Sequence, residues 1–320
     1  MTPPVDAPDR RDGLVYVMTS RLELAVKVSL ATGRPLLLRG DPGTGKSSLA
    51  AYIARRLGWR YYEHVVTSQT QARDLLWTFD GVRRLADAQA GIRAEGAAYV
   101  EPGAMWWALA PESARHRGRR ASGGDPAVDP FQQVNEGRSP DHAVVLIDEI
   151  DKAEPDLPNA LLVPLSSSSF VVTETHTEVS KAPSRTENGA TARHLVVITT
   201  NEERELPEAF LRRCVVVWLE PPDENRLMQI AEQHMTTYDG AWSDDGRQLA
   251  REVAKAVVVA REVAAQQGIR PASTAEFLDA LRACRALGIR PGTSDWRLLA
   301  QFVLFKPQQP TGDGDGRHLA

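Results

Sequence analysis

Residues 36–58 read LLLRGDPGTGKSSLAAYIARRLG, and the organisation of the chain is read outward from them. Three leucines and an arginine make an apolar run of strand length. A turn of Gly, Asp, Pro and Thr interrupts it, and an alanine- and arginine-rich segment then continues with helical character. Within the turn, Gly40-Asp41-Pro42-Gly43-Thr44-Gly45-Lys46-Ser47 fits the pattern G-x-x-x-x-G-K-[ST]. The glycines let the backbone fold tightly, so that successive N–H groups point inward at the positive end of the helix dipole and can cradle phosphate oxygens. The candidate nucleotide-binding stretch runs from Gly40 through Ser48, with Lys46 as a point charge on the β- and γ-phosphates and Ser47 as a hydroxyl for Mg²⁺.

Three further apolar runs, at 143–147, 195–199 and 215–219, lack the polar alternation of a half-exposed strand. With residues 35–39 they predict strands covered on both faces, hence a parallel sheet sandwiched by helices such as 44–57 and 158–165. The run 144–151, VVLIDEID, places Asp148 and Glu149 at the C-terminal end of a buried strand, where open α/β sheets bind their ligands. Asp148 is placed to orient Mg²⁺ through its water shell and Glu149 to polarise a water that attacks the γ-phosphate. Asp151 reads as the start of the next helix. Beyond 223 the pattern is helical only, at 224–234, 246–267 and 274–287, so a small helical domain follows the α/β part.

Composition bounds the rest. A chain of 320 residues that is 42% hydrophobic can bury a sizeable core, and its length predicts two domains. A net charge of -4 gives no overall pull toward nucleic acid or anionic lipid. There is no apolar run long enough to insert in a membrane, and the opening residues have no signal-peptide core. Cys214 and Cys284 have no metal-ligand spacing and read as thiols of a reducing compartment, so the expected location is cytoplasmic. Residues 111–141 are rich in Gly, Pro, Ser, Arg and Asp and predict a long mobile loop inserted in the core. That stretch holds RHRGRR at 115–120, which reads as a solvated run; contact with nucleic acid is the alternative. Trp106 and Trp107 read either as pore-lining or as anchors of an insertion. Residues 166–176, rich in Ser, Thr and Val, read as a hairpin.

The loop 40–47, the Ile147-Asp148-Glu149 strand end, VVITTN at 196–201 and LPEAFLRRC at 206–214 resemble, in that order, the Walker A, Walker B, sensor 1 and arginine-finger elements of AAA+ ATPases. Within AAA+, the segments DEIDKAEP at 148–155, NALL at 159–162, DLLWT at 74–78, EPGAMWWAL at 101–109 and the finger segment at 206–214 are similar to the MoxR-like group, including its CbbQ-type members. The resemblance extends over residues 14–305. It implies a P-loop NTPase (AAA+) fold: a core at 13–221 with the 111–141 insertion, a helical lid at 222–305, and flexible tails at 1–12 and 306–320. By resemblance, Asn201 is the sensor 1 residue that holds the γ-phosphate or the attacking water. Arg212 and Arg213 are both candidates for a finger that faces the neighbouring subunit; family position favours Arg213. Arg270, in GIRPAST at 268–274, is similar to the sensor 2 arginine of the lid.

The resemblance further implies ATP and Mg²⁺ as cofactors, self-assembly into a ring of six, and a client protein, often one with a von Willebrand A domain, that is remodelled or activated. Two other readings stand beside this one: an ATP-binding switch with slow turnover in a signalling or antiviral defence system, and a DNA-directed motor supported by the basic run alone.

Overall fold

The computed structural model describes residues 12–119, 125–181 and 194–304, except 239, 241 and 269. The chain divides into two compact units, 1–220 and 221–320. No helix among the described residues is long and apolar enough to cross a membrane.

In the first unit the described strands are β1 (Leu36–Arg39), β2 (Trp59–Val65), β3 (Trp77–Phe79), β4 (Val100–Pro102), β5 (Ser139–Asp148), β6 (Ser169–Val172), β7 (Thr177–Ser180), β8 (His194–Thr200) and β9 (Val215–Trp218). Five of them form one parallel sheet in the order β2-β5-β8-β1-β9. Successive strands of it are joined by crossovers, so helices cover both faces, and the central strands become apolar throughout. Side chains alternate accordingly. Leu37, Val145, Ile147 and Ile198 pack with Trp106, Trp107, Ile150, Leu157 and Phe210 on one face. Leu36, Leu38, Val144, Leu146 and Val197 pack with Leu22, Val26, Leu49 and Ile53 on the other.

The order of strands places the phosphate-loop strand β1 beside β8, and β8 beside β5, which ends in the acidic pair. In the register, Leu38 lies opposite Thr199 and Ile147 opposite Ile198, so the C-terminal ends of β1, β8 and β5 stand level. That alignment brings together residues about 50 and 100 positions apart in the chain.

Strand β2 is not evident in the sequence as an apolar run. Its residues WRYYEHV mix aromatic and charged types because it is an edge strand, paired only with β5. Its Arg60 is nonetheless buried, since the guanidinium donates to the Trp107 and Ala108 carbonyls, at 2.7 and 3.1 Å, and to the Tyr62 hydroxyl at 3.0 Å. These bonds satisfy carbonyls at the end of the short helix Ala104–Leu109, which the following turn leaves open. Trp106 and Trp107 are 0% and 3% exposed, and the Trp106 ring meets Phe170 edge-on, so both are anchors of the core.

The stretch 111–141, read as a loop, follows a different course where it is described. It forms the short helices Pro111–Arg115 and Gln132–Asn135 and the first residues of β5. Ala127 is buried, Phe131 packs on both core clusters, and Asn135 bonds the backbone of Tyr61 through both its side-chain atoms. The few apolar residues there suffice because polar side chains dock the backbone of β2; residues 120–124 lie outside the described residues. The expected hairpin after residue 166 is β6–β7, and β3–β4 form a second antiparallel pair.

Among the described residues the second unit is a bundle of four helices, Glu224–Tyr238, Asp244–Gln267, Thr274–Leu287 and Ser294–Val303. The starts of the last three are fixed by local chemistry: Ser243, Ser273 and Thr293 cap them by accepting from backbone N–H groups three residues on. Leu227, Met235, Val253, Phe277, Leu281 and Trp296 form the core, and alanines such as Ala231, Ala254 and Ala280 let the helices approach closely. The tails expected at 1–12 and 306–320 lie outside the described residues, apart from Asp12.

Candidate functional site

The turn after β1 has the backbone its glycines permit. Gly40, Gly43 and Gly45 have φ of 141°, 76° and 89°. At Gly40 a β-carbon would also stand 2.5 Å from the Leu219 carbonyl oxygen, so both the dihedral and the space require glycine. The helix Lys46–Leu57 begins directly after Gly45, which provides no side-chain cap. Its first N–H groups are therefore left to a ligand. Thr44 closes the turn by donating to the Asp41 carbonyl at 2.9 Å.

Lys46 folds back into the turn and donates to the carbonyls of Gly40 and Asp41, at 2.6 and 2.8 Å. It is buried, and that burial lowers its pKa; the carboxylates of Asp148, Asp41, Asp151 and Glu149 work in the other direction. A charged ammonium among acidic groups, with its hydrogen bonds made to backbone carbonyls, is prepared to exchange them for phosphate oxygens. Ser48 is half-buried in the first turn of the helix, while Pro42 and Gly43 are exposed at the tip of the loop.

Asp148 is 2% exposed and its Oδ1 accepts two short hydrogen bonds, from Ser47 at 2.7 Å and from Thr199 at 2.6 Å. The same Thr199 hydroxyl accepts from the Glu149 N–H at 2.9 Å. One hydroxyl thus ties the end of β5 to the strand between it and β1. A hydroxyl and a carboxylate held side by side fit a small, hard cation that keeps most of its waters, as Mg²⁺ does, and no cluster of three His, Cys, Asp or Glu side chains suited to a protein-enclosed metal exists among the described residues.

Glu149 leaves the strand in the left-handed region, with φ 61° and ψ 49°, a conformation that carries strain for a side chain with a β-carbon. Its carboxylate is held on both oxygens. The Asn201 side-chain amide donates to Oε1 at 3.3 Å and the Lys152 ammonium donates to Oε2 at 2.6 Å. Asn201 is positioned in turn by Asp151, whose Oδ2 accepts from the backbone N–H groups of Asn201 and Glu203 at 3.1 and 2.9 Å. Asp151 stands in the 3₁₀ turn Ile150–Lys152, 2% exposed. Its reading as a helix start is thereby refined: the side chain organises the loop after β8. Thr199, Asp151 and Lys152 are the site residues that sequence reasoning missed. A hydroxyl in an apolar strand and a second acid after the DE pair were the available signals; their partners lie 50 residues away.

Lys46, Ser47, Asp148, Glu149 and Asn201 are thus gathered at one end of the sheet. Arg212 and Arg213 lie after the short helix Glu208–Leu211 of the same unit, both exposed. The Arg212 guanidinium pairs with Glu208, four residues earlier. Arg213 donates to the Ala209 carbonyl at 2.9 Å and has no carboxylate partner among the described residues. Arg270 belongs to the second unit, where its guanidinium lies 3.7 Å from Glu276, the residue that completes the capping box with Ser273.

Within the basic run at 115–120, Arg117 and Arg119 are turned inward, while Arg115 is exposed. Arg117 donates to the carbonyls of Val100 and Asp125 and pairs with Glu101 at 2.9 Å, while Arg119 pairs with Glu95 at 3.5 Å. Their side chains are 16% and 19% exposed, which withdraws them from contact with a nucleic-acid backbone.

The chain is similar to the Holliday junction branch migration motor RuvB of Thermotoga maritima, at 14% identity and a TM-score of 0.42, over 88% of this chain and 67% of that one. It is similar as well to a Cytophaga hutchinsonii protein named as a candidate ATPase, at 15% identity and a TM-score of 0.42, over 92% and 83% of the two chains. Curated protein sequences give no match. The family profile described as AAA domain (dynein-related subfamily) matches residues 35–214, from the start of β1 to the cysteine before β9. Spanning more than half of the chain and the whole of the constellation just described, that match shows that the protein belongs to the AAA domain family of ATPases, in its dynein-related subfamily.

Proposed function

We propose that the protein binds Mg·ATP in the loop of residues 40–48, hydrolyses it at the interfaces of a ring oligomer, and uses the turnover to remodel or activate a partner protein, as MoxR-like proteins do. In this reading Lys46 and the first N–H groups of its helix hold the phosphates, and Ser47 and Asp148 hold Mg²⁺. The ion offsets charge on the phosphate oxygens when bound. A water oxygen attacks the γ-phosphorus, the bond to the β–γ bridging oxygen breaks, and the water's proton passes to Glu149. Asn201 orients that water or the γ-phosphate. Arg213, whose charge has no carboxylate partner among the described residues, is the better candidate than Arg212 for the finger that reaches the next subunit's nucleotide. Arg270 is read as the lid's contact to the γ-phosphate. The observation that supports the reading most is the pair of hydrogen bonds Ser47 to Asp148 and Asn201 to Glu149, which joins three separate segments around one point.

Glu149→Gln is expected to keep ATP binding and lose turnover by about 10²-fold or more, the scale of a positioned proton acceptor. Lys46→Ala is expected to lose binding. Light scattering of Glu149→Gln with and without Mg·ATP tests assembly, and an ATP-dependent ring is the expected result. Mixtures of Arg213→Ala and Lys46→Ala subunits should recover part of the turnover that each lacks alone, because some interfaces then pair an intact loop with an intact finger. No recovery at any mixing ratio counts against a finger acting in trans.

The switch reading is favoured by one observation, that both oxygens of Glu149 are already engaged by Asn201 and Lys152. A monomer that binds ATP, with turnover independent of its concentration, would select it.

A further inference from the structure

The Lys152 ammonium is 2.6 Å from Glu149 Oε2, on the side of the carboxylate away from Asn201. Lys152 is no freely swinging surface lysine, because its backbone is fixed. Its N–H donates to the Glu149 carbonyl at 3.0 Å across the 3₁₀ turn Ile150–Lys152. Ile150 in that turn is 1% exposed and Asp151 is bonded to the loop after β8. The side chain therefore reaches back over a turn that packing holds in place. The ion pair itself is half open to solvent, with side-chain exposures of 40% for Lys152 and 29% for Glu149. It borders a cleft of about 370 Å³ lined in part by Thr67, Ser68, Glu203 and Arg204. An ammonium leaving Glu149 thus has room and a second acid, Glu203, on the same side. The acidic groups that face Lys152 are Glu149, Glu203 and Asp151, and they raise its pKa, chiefly through the bond to Glu149, while Arg204 lines the same cleft.

We propose that Lys152 is a positioning residue that restrains Glu149: while the ion pair stands, the carboxylate cannot turn an oxygen to the attacking water, and the resting rate of hydrolysis is set by how often the pair opens. This rests on Glu149 being the proton acceptor. A bare carboxylate beside Asn201 would leave Oε2 available; here that oxygen accepts a short, charge-assisted hydrogen bond from an ammonium. The restraint is modest by construction, since a pair this exposed is screened by water. Opening it is within reach of a contact made by another polypeptide at the cleft.

The test uses the full chain and three variants. Lys152→Gln removes the charge and is expected to raise kcat about three- to fivefold with KM for ATP changed by less than about twofold, the range that an exposed pair sets. Lys152→Arg restores a cation at that position and is expected to return the rate toward that of the native protein. A second readout needs no nucleotide. Acetylation of Lys152 near pH 8, followed by peptide mass spectrometry, should be several-fold slower in the native protein than in Glu149→Gln, because the paired ammonium holds its proton.

If Lys152→Gln turns over at or below the native rate with KM unchanged, or if Lys152→Arg is as fast as Lys152→Gln, the restraint is refuted. Equal acetylation in the native protein and Glu149→Gln refutes the pair in solution. Full hydrolysis by Glu149→Gln would instead overturn the proton-acceptor assignment and the restraint with it, while the acetylation result would still report whether the two side chains are paired.

Discussion

Thr199 makes two hydrogen bonds that only a hydroxyl can make together, donating to Asp148 and accepting from the Glu149 N–H. It is 1% exposed, so its replacement by Val keeps the shape and leaves the Glu149 N–H without its acceptor in a buried setting. The expected cost is about 1–3 kcal/mol in urea-induced unfolding of the nucleotide-free protein, with Thr199→Ser recovering most of it. Lys46 gives a pH dependence of known sign. Burial lowers its pKa in the folded chain below the ordinary lysine value, so between those two values the unfolded chain binds more protons and this group makes stability rise with pH. The difference in unfolding free energy between the native protein and Lys46→Met should therefore shift in the native protein's favour as pH is raised through the alkaline range. A shift in the opposite direction would mean that the surrounding carboxylates outweigh burial at this lysine.

At the scale of elements, the joint between β4 and the helix Ala104–Leu109 has, among the described glycines with ordinary dihedrals, the one with least room for a side chain. Gly103 has φ -82°, which any residue adopts, yet a β-carbon there would stand 2.6 Å from the Leu75 carbonyl oxygen and 2.7 Å from that of Asp74. Its N–H also donates to the Leu76 carbonyl at 2.9 Å, which holds the two segments together. Gly103→Ala is expected to destabilise the first unit by about 1–3 kcal/mol, as overpacking does, and thermal unfolding reads it directly. The same joint anchors Trp106, so the loss should appear in tryptophan fluorescence as well. The edge strand β2 depends on similar docking: Arg60 gives up solvent for two helix-end carbonyls, and its charge would mark the strand as polar on sequence alone.

For the whole molecule, each unit carries one buried cysteine, Cys214 in the first and Cys284 in the second. Burial pushes both thiols up to about 11. At pH 8 ionisation alone then slows their alkylation by about two orders of magnitude relative to an unfolded chain. Labelling followed by mass spectrometry therefore reads the opening of each unit separately, and a denaturant series should show whether the α/β unit and the helical unit unfold in one transition or two. Rapid labelling of either cysteine in native buffer would contradict the packing described for that unit.

Features that rest on local chemistry are legible along the chain. The glycine turn and its lysine, the acids ending an apolar strand, and the helical patterns at 246–267 and 274–287 each need only neighbours within a few residues. Their positions were legible because the backbone there has one sterically allowed course or one available partner. The tertiary structure decided the rest. Thr199 meets Asp148 because parallel register aligns the ends of β5 and β8, Asp151 finds the N–H groups of Asn201 and Glu203 across about 50 residues, and Arg117 spends its charge on Glu101 in place of solvent. Such contacts depend on which strands are neighbours and in what register, and that is set by burying whole faces of a sheet, a sum over many side chains that no short stretch of the chain contains.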